Sequence, residues 1–268
     1  MSIGKRVRMR RLFSHPSGRL CSIAVDHFIG YGEGLPAGLR HIRQTLDEIV
    51  AARPDAVTMH KGIALSLWEP HAGIVPLILQ TSGIRVDDSA CEQFATPEDA
   101  IRLGADAVAV AAFVRGDSET AHLRIVAQCV REAEQYDLPV ICHIYPRTFV
   151  DGAKVSFAPE DIAWATRCAV EVGADVVKTP YCGDILAQAQ IAADCPVPLV
   201  AAGGPAAPTL ETSLKLMAQA IQSGMRGATI GRNVWNAARI GMTVRAFKAV
   251  IHDGATPQAA LAELACEV

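Results

Sequence analysis

The sequence has few aromatic residues, little net charge and no long apolar run, and each shortage excludes a class of protein. Phe, Trp and Tyr make up only 5% of the 268 residues, although half of the chain is hydrophobic. This mostly aliphatic content is typical of parallel strands covered by helices, and it excludes a disordered chain. A formal net charge of −3 predicts no basic nucleic-acid surface. No apolar run approaches the roughly 20 residues of a membrane span.

The chain also lacks the motifs of disulfide scaffolds, secretion signals and dinucleotide sites. No apolar signal core follows the basic N-terminus, and no G-x-G-x-x-G follows the first predicted strand. None of the eight cysteines form a C-x-x-C pair, so we expect reduced, buried thiols in a cytoplasmic protein. They are Cys21, Cys91, Cys129, Cys142, Cys168, Cys182, Cys195 and Cys266.

Eight short apolar runs alternate with helical stretches along the chain. Runs of this kind, bounded by Gly, Pro and polar residues, predict buried parallel strands. The runs are Leu20–Asp26, Asp55–His60, Val75–Gln80, Asp106–Phe113, Leu138–Tyr145, Ala174–Lys178, Val197–Gly203 and Arg226–Gly231. Eight strand–helix units in about 250 residues predict an α/β fold, the (β/α)8 TIM barrel, with a doubly wound sheet as the competing architecture. Since no linker interrupts the chain, we assign residues 1–268 to one domain.

Helical periodicity and capping residues predict the elements between the strands. Residues 1–19 are expected to form a helix, Gly4 to Phe13, and a lead-in, with the helix charges facing solvent. Residues 252–268 are expected to form a helical tail. The other predicted helices include Pro36–Ala52, Ser118–Tyr136, Asp184–Ala193, Thr209–Ser223 and Val234–Val250, together with helices that open at Thr96 and Ala158.

Ionisable side chains gather at the C-terminal ends of the predicted strands, where the active site of a TIM barrel lies. The strand bodies are almost purely apolar, so random placement does not explain this sorting. The candidates are Asp26, His27, His60, Lys61, His143, Tyr145 and Lys178. His71 and His122 are expected in loops or at the surface instead.

Lys178 is the predicted nucleophile, because its stem leaves an apolar barrel and a desolvated amine has a lowered pKa and attacks carbonyls. The alternative is a lysine paired permanently with a carboxylate such as Asp26. We expect Tyr145 to have a lowered pKa beside the lysine and to act as acid and base, and Asp26 to hold the lysine or orient a hydroxyl. Packing and capping roles are the alternatives for these two residues.

Glycines follow the seventh and eighth predicted strands, where TIM barrels commonly bind phosphate. Gly203, Gly204 and Gly231 let backbone N–H groups approach an anion, and Arg232 adds a forked cationic donor. The alternative is that both glycine segments are ordinary strand-to-helix turns that bind no anion.

Three histidines at strand ends raise the alternative of a metal-dependent lyase. Imidazole suits zinc, but His27, His60 and His143 are not arranged as H-x-H or H-E-x-x-H. We therefore expect no metal, and we assign these histidines and Lys61 to substrate binding.

These residues lie in motifs that resemble the archaeal-type class I fructose-bisphosphate aldolases, within the deoxyribose-phosphate-type Schiff-base aldolases. The resemblance covers nearly the whole chain. Its motifs are Gly4-Lys-Arg-Val-Arg-Met-Arg-Arg-Leu-Phe13, Val25-Asp-His27, His60-Lys-Gly-Ile-Ala64, Tyr145-Pro-Arg147, Val177-Lys178, Tyr181-x-Gly183-Asp184, Gly203-Gly-Pro205 and Gly231-Arg-Asn233. The group includes the autoinducer-2 thiolase and aminodideoxyheptulosonate synthase relatives.

The resemblance implies a class I aldolase, a lyase that makes or breaks a carbon–carbon bond in a phosphorylated ketose without a cofactor. It implies that Lys178 forms the imine, Tyr145 moves the proton, Asp26 assists, and the Gly-Gly-Pro and Gly-Arg-Asn loops hold phosphate. It also implies a sugar-phosphate substrate and a homo-oligomer such as a pentamer or decamer. The net charge and the lack of a long apolar run predict neither a nucleic-acid nor a membrane partner.

The sequence departs from the family pattern at several positions. Ala206, His143, Gln188 and Phe28 stand where members often have Lys, Trp, Glu and Gly, respectively. Two alternatives remain: thiolase- or transaldolase-type transfer in the same lysine pocket, and a sugar-phosphate-binding barrel without catalysis.

Overall fold

Eight parallel strands form a closed barrel in the computed structural model, which describes residues 1–31 and 34–266. Each strand pairs with the next, and Leu20 of the first strand pairs with Gly227 of the last. The strands are β1 (Leu20–Ala24), β2 (Ala56–His60), β3 (Leu77–Gln80), β4 (Ala107–Val114), β5 (Val140–Thr148), β6 (Val176–Thr179), β7 (Leu199–Ala202) and β8 (Gly227–Ile230). The predicted TIM barrel is therefore confirmed.

Helices surround the barrel and connect its strands. They are α1 (Ile3–Leu12), α2 (His27–Tyr31), α3 (Ile42–Ala51), α4 (Lys61–Leu67), α5 (Pro97–Arg102), α6 (Glu119–Glu134), α7 (Pro159–Glu171), α8 (Ile185–Asp194), α9 (Leu210–Gln222), α10 (Arg232–Trp235), α11 (Ile240–Lys248) and α12 (Pro257–Cys266). Short turns of 3₁₀-helix cover Ala37–Leu39 and Glu69–His71, and a π-helical turn covers Ala249–Asp253. Thr96 and Asp99 form the capping box that begins α5.

Two predicted helices are interrupted in the structure. The predicted helix Pro36–Ala52 begins as the 3₁₀ turn Ala37–Leu39, and the α-helix starts only at Ile42. The predicted helix Val234–Val250 divides into α10 and α11, because Trp235 Nε1 donates to Ala24 O at 3.1 Å and anchors α10 against β1. The chain must then turn before α11 can pack on α3.

Alternate side chains separate the barrel interior from the layer beneath the helices. Leu20, Ala56 and Ile78 belong to the interior cluster, whereas their neighbours Cys21, Val57 and Leu79 pack in the outer layer. Leu12 of α1 joins the interior cluster and is fully buried. Helix α1 thus covers the N-terminal end of the barrel.

The charges of α1 do not all face solvent, which corrects the expectation. Lys5 Nζ lies 2.9 Å from Asp175 Oδ2, and both side chains are largely buried. Arg11 remains mostly exposed but contacts Asp106 at 2.9 Å. Asp106 and Asp175 directly precede β4 and β6, so their carboxylates meet the basic helix at the closed end.

The cysteines are less uniformly buried than expected. Cys21, Cys129 and Cys142 are buried, whereas Cys91, Cys168, Cys182 and Cys195 are partly exposed. All seven are free thiols. The side chain of Cys266 and residues 267–268 of the predicted tail lie outside the described part of the chain.

Candidate active site

A cavity of about 500 Å³ opens at the C-terminal end of the barrel. Ten of the eleven predicted site residues line it: Asp26, His27, His60, His143, Tyr145, Lys178, Gly203, Gly204, Gly231 and Arg232. They lie on three strands, β2, β5 and β6, or shortly after the ends of β1, β7 and β8. Most of the predicted site residues therefore lie together at one cavity.

Lys178 lies inside the cavity and is only 5% exposed. On β6 it pairs in register with His143 of β5 and Val200 of β7, so neighbouring strands enclose its stem. Its neighbours Val177 and Thr179 point to the other side of the strand by β alternation. The amine therefore reaches the cavity from an apolar wall.

Asp26 is a buried carboxylate beside this lysine. Burial by itself would raise the pKa of Asp26, but the contact with His27 and the positive charge of Lys178 outweigh it and hold the pKa well below its usual range. His27 Nδ1 lies 3.2 Å from Asp26 Oδ1. Burial, and then the charges of Lys178 and Arg232, lower the pKa of His27 despite the carboxylate. The arrangement favours an ionised Asp26 and a neutral His27 at pH 7.

His143 and Tyr145 project into the cavity from β5, two residues apart. Burial and the charge of Lys178 lower the pKa of His143 well below its ordinary value, which keeps the imidazole neutral. Burial and the nearby Asp26 raise the pKa of Tyr145. The expected lowering of the Tyr145 pKa is therefore wrong, because burial and the carboxylate both disfavour a phenolate.

Lys61 does not line the cavity and is separated from the other predicted binding residues. His60 ends β2 facing inward, so the next side chain points outward as α4 begins. Lys61 Nζ lies 2.8 Å from Asp99 Oδ1 of α5. Strand alternation thus corrects the assignment of Lys61 to substrate binding.

The loops after β7 and β8, residues 203–205 and 231–233, form one rim of the cavity, which we call the anion loops. A Cβ on Gly203 would lie 2.9 Å from the Cα of Ile230, and a Cβ on Gly231 would overlap the His27 ring. Gly204 has a φ of +75°. Glycine is thus required by close approach at two positions and by backbone conformation at the third.

Asn233 joins the two anion loops and was not predicted as a site residue. Its Nδ2 donates to Gly203 O at 2.8 Å and to Pro205 O at 3.1 Å, and its Oδ1 accepts from Ala207 N at 2.9 Å. The Gly-Arg-Asn motif was the only sequence signal for this contact.

Short antiparallel strands form the opposite rim, which we call the hairpin wall. It comprises Ser82–Ile84 with Cys91–Gln93, and Lys154–Val155 paired with the end of β5. Gln80, Ser82, Ile84, Phe113, Lys154, Val155 and Phe157 line the cavity here. Gln80 and Phe113 end predicted strands, but Lys154 was not predicted as a site residue, since its position depends on pairing with Thr148.

Arg147 supports the hairpin wall from behind. Its buried guanidinium donates to Asp88 Oδ1 at 2.8 Å and to Ser118 Oγ at 2.6 Å. The same Asp88 oxygen lies 2.9 Å from His122 Nε2. His122 is fully buried in α6, which corrects the expectation of a loop or surface position. His71 lies in the short 3₁₀ turn Glu69–His71 but is also buried. An aspartate lies close to one imidazole nitrogen of each, Asp88 for His122 and Asp47 for His71.

Gln188 lies outside the cavity, fully buried in α8. Its Oε1 accepts from Cys182 N at 3.1 Å, so it holds the loop that follows β6. The position where relatives often have Glu is therefore structural in this chain.

Within residues 1–31 and 34–266, no group of three or more His, Cys, Asp or Glu side chains is arranged to hold a metal ion. No helix in this part of the chain has both the length and the apolarity to cross a membrane.

Comparison with known proteins identifies the family to which the chain belongs. The family model described as DeoC/LacD family aldolase matches residues 20–237, which span the whole barrel. The chain belongs to the DeoC/LacD aldolase family. It is thus an enzyme of the aldolase type, as the resemblance implied.

Individual DeoC/LacD relatives align over nearly the whole barrel. The chain is 33% identical to 2-amino-3,7-dideoxy-D-threo-hept-6-ulosonate synthase of Halobacterium salinarum, covering 97% of this chain and 96% of that protein. It is 31% identical to 3-hydroxy-5-phosphonooxypentane-2,4-dione thiolase of Yersinia enterocolitica, covering 93% and 82%. An archaeal fructose-1,6-bisphosphate aldolase, whose catalytic Lys is covalently bound to the carbinolamine intermediate of the substrate, superposes with a TM-score of 0.81. That structure is 29% identical and covers 92% of this chain and 99% of its own.

Proposed function

We propose that this protein is a class I aldolase, an aldehyde-lyase that makes or breaks a carbon–carbon bond in a phosphorylated ketose through an imine on Lys178. The observation that carries the proposal is the position of Lys178. Its nearly buried amine enters a cavity that also contains an ionised Asp26, a protonated Tyr145 and two glycine loops suited to phosphate. The related archaeal aldolase with a covalently modified lysine supports this role.

The first steps would form the imine. The unprotonated Nζ of Lys178 attacks the ketone carbon, and the resulting carbinolamine loses water to become a protonated imine. Asp26 stabilises this cation, because its low pKa keeps the carboxylate charged. The backbone N–H groups of the anion loops and the guanidinium of Arg232 hold the substrate phosphate and so fix the carbonyl beside the amine.

The imine then acts as the electron sink for the carbon–carbon bond. In the synthesis direction an enamine attacks an aldehyde, and Tyr145 donates its phenolic proton to the new alkoxide. The raised pKa of Tyr145 suits this role, since the phenol stays protonated until charge develops on the aldehyde oxygen. In the cleavage direction the phenolate accepts the same proton, by microscopic reversibility.

Borohydride trapping tests this proposal. Dihydroxyacetone phosphate is incubated with the protein, the imine is reduced to a stable secondary amine, and the modified peptide is identified by mass spectrometry. We expect an adduct on Lys178 in the wild type and none in Lys178→Met. Because the cleavage step also requires the imine, Lys178→Met should reduce aldol turnover by about 10³-fold or more.

Two results would contradict the proposal. One is the absence of any adduct in the wild type. The other is an adduct that persists at full yield in Lys178→Met. Lys215→Met is the matched control, because Lys215 pairs with Glu211 on the surface of α9 and lies outside the cavity lining.

Acyl transfer in the same lysine pocket is the second candidate, favoured by the thiolase relative at 31% identity. It would need a thiol acceptor such as coenzyme A. Product analysis with and without coenzyme A separates the two reactions, because an aldolase forms its product without the thiol.

We further propose a cytoplasmic homo-oligomer. The seven free cysteines are compatible with a reducing compartment. Light scattering on the purified protein measures the assembly, and a monomer at micromolar concentration would contradict it.

A further inference from the structure

Lys154 is a cavity-lining cation that the proposed mechanism does not use. It lies in the hairpin wall, at the end of β5, and its side chain is exposed. The phosphate candidates lie instead on the anion loops after β7 and β8. Since β6 and β7 separate β5 from β8, the cavity has cations on two distinct sides.

The backbone around Lys154 is held in place by strand pairing. Lys154 pairs with Thr148 and Val155 pairs with Arg147, in antiparallel register with the extension of β5. Val155 packs with Tyr145 against Ile84, Ala111 and Phe113. The side chain of Lys154 is therefore exposed, while its backbone is held next to Thr148 at the end of β5.

Other cations near the hairpin wall are already engaged. Arg147 is buried and bonded to Asp88, and Arg115 Nε lies 2.9 Å from Asp161 Oδ1. In the described ranges, no hydrogen bond or ion pair involves the Lys154 side chain. The adjoining cavity surface is largely apolar and includes Ile84, Phe113, Val155 and Phe157. A ligand that extends from Lys178 toward this wall would therefore meet the positive charge of Lys154.

We infer that Lys154 binds an anionic group, a phosphate or a carboxylate, at the far end of the second substrate, and thereby selects anionic over neutral aldehydes. This inference rests on the proposed function, because the second substrate must be joined to a lysine-bound enamine. Ala206 contributes no cation on the anion loops, so Lys154 supplies the second positive site from the other rim. An exposed charge-assisted contact corresponds to an effect of about tenfold on binding.

Trapping with three ketoses measures this effect without requiring turnover. The probes are fructose 1-phosphate, fructose 1,6-bisphosphate and fructose 1-phosphate with a carboxylate at C6. We expect at least one of the two probes with a second anionic group to reach half-maximal borohydride-trapped adduct at a concentration about tenfold below that of fructose 1-phosphate. Lys154→Met should abolish this ratio, whereas Lys154→Arg and Lys215→Met should retain it. The probe with the larger Lys154-dependent ratio identifies phosphate or carboxylate as the preferred anion.

The two proposals fail in different ways. If dihydroxyacetone phosphate gives no adduct on Lys178 in the wild type, the aldolase proposal fails. The other case is that dihydroxyacetone phosphate does give an adduct on Lys178. The inference about Lys154 alone is then overturned if the wild type shows no preference for either ketose with a second anionic group, or if Lys154→Met keeps that preference. The same conclusion follows if no six-carbon ketose is trapped.

Discussion

The anion loops and the hairpin wall face the same cavity but are built in different ways. The anion loops follow barrel strands directly, and glycines bring their backbone close to Ile230 and His27. The hairpin wall consists of added strands held by contacts of the partly exposed Asp88 with the buried Arg147 and His122. The first construction leaves little room for side-chain variation, whereas the second presents exposed side chains such as Lys154. If the proposed function holds, this difference suits the anion loops to the phosphate and the hairpin wall to the second substrate.

Gly231→Ala tests the close-packed rim. Its effect on activity should be larger than that of Asn233→Ala or Asp88→Asn. A Cβ at this position overlaps the His27 ring, so the anion loop or His27 must move. We expect the KM for a phosphorylated substrate to rise about 100-fold and the free energy of unfolding to fall by about 1–3 kcal/mol. Steady-state kinetics and urea denaturation measure these changes.

Gly62→Ala is the matched control, because a Cβ on Gly62 meets no atom within 4 Å and Gly62 lies in helix α4. This change should leave KM unaltered and stabilise the protein by about 0.5–1 kcal/mol. Equal effects of the two substitutions would show that the anion loop is not tightly constrained.

Asn233→Ala separates the positioning of the anion loops from their chemistry. The change removes two donated hydrogen bonds and one accepted hydrogen bond between residues 203–207 and α10. We expect KM for the phosphorylated substrate to rise about tenfold with kcat nearly unchanged, because the loop loosens but the lysine stays in place. Asn236→Ala, at an exposed position three residues later, should match the wild type. A fall in kcat with constant KM would instead place Asn233 in the chemical step.

Asp88→Asn should have the smallest effect on activity but a distinct effect on the pH dependence of stability. Burial alone would raise the pKa of Asp88, but hydrogen bonds from His122, Ser118 and Arg147 lower it to about 2. Because the folded pKa lies below the unfolded value, this carboxylate stabilises the protein above about pH 4, and the contribution is lost as the pH falls toward 2. Urea midpoints measured from pH 5 to pH 2.5 should therefore fall more steeply in the wild type than in Asp88→Asn. Parallel curves would show that the hairpin wall does not depend on this charge.

The sequence predicted the barrel and ten of the residues that line the cavity, because the alternation of side chains along a strand is a local property. An apolar run of about six residues that ends in an ionisable group has a limited choice of geometry, and parallel strands bring their C-terminal ends together. Asp26 and Lys178 are far apart in the chain, but each ends a predicted strand and both line the cavity. Lys61 was misassigned because it comes one residue after the inward-facing His60.

Other features could not be predicted because they depend on contacts between distant segments. Lys154 reaches the cavity only because β5 continues past the barrel and pairs back on residues 154–155. His122 was expected in a loop or at the surface, but Cys91 and Asp88 from the hairpin segment contact its ring. The break between α10 and α11 depends on a hydrogen bond from Trp235 to β1.

The order of the elements, their parallel pairing and the identity of the groups at the strand ends were determined by the amino-acid sequence itself, through the periodicity of apolar residues and the placement of glycine and proline. The tertiary structure alone decided which charged groups are available and which protonation states they favour. Burial and neighbouring charges set these properties, so Tyr145 remains a protonated phenol, Arg147 is occupied by Asp88, and Lys154 is exposed at the cavity.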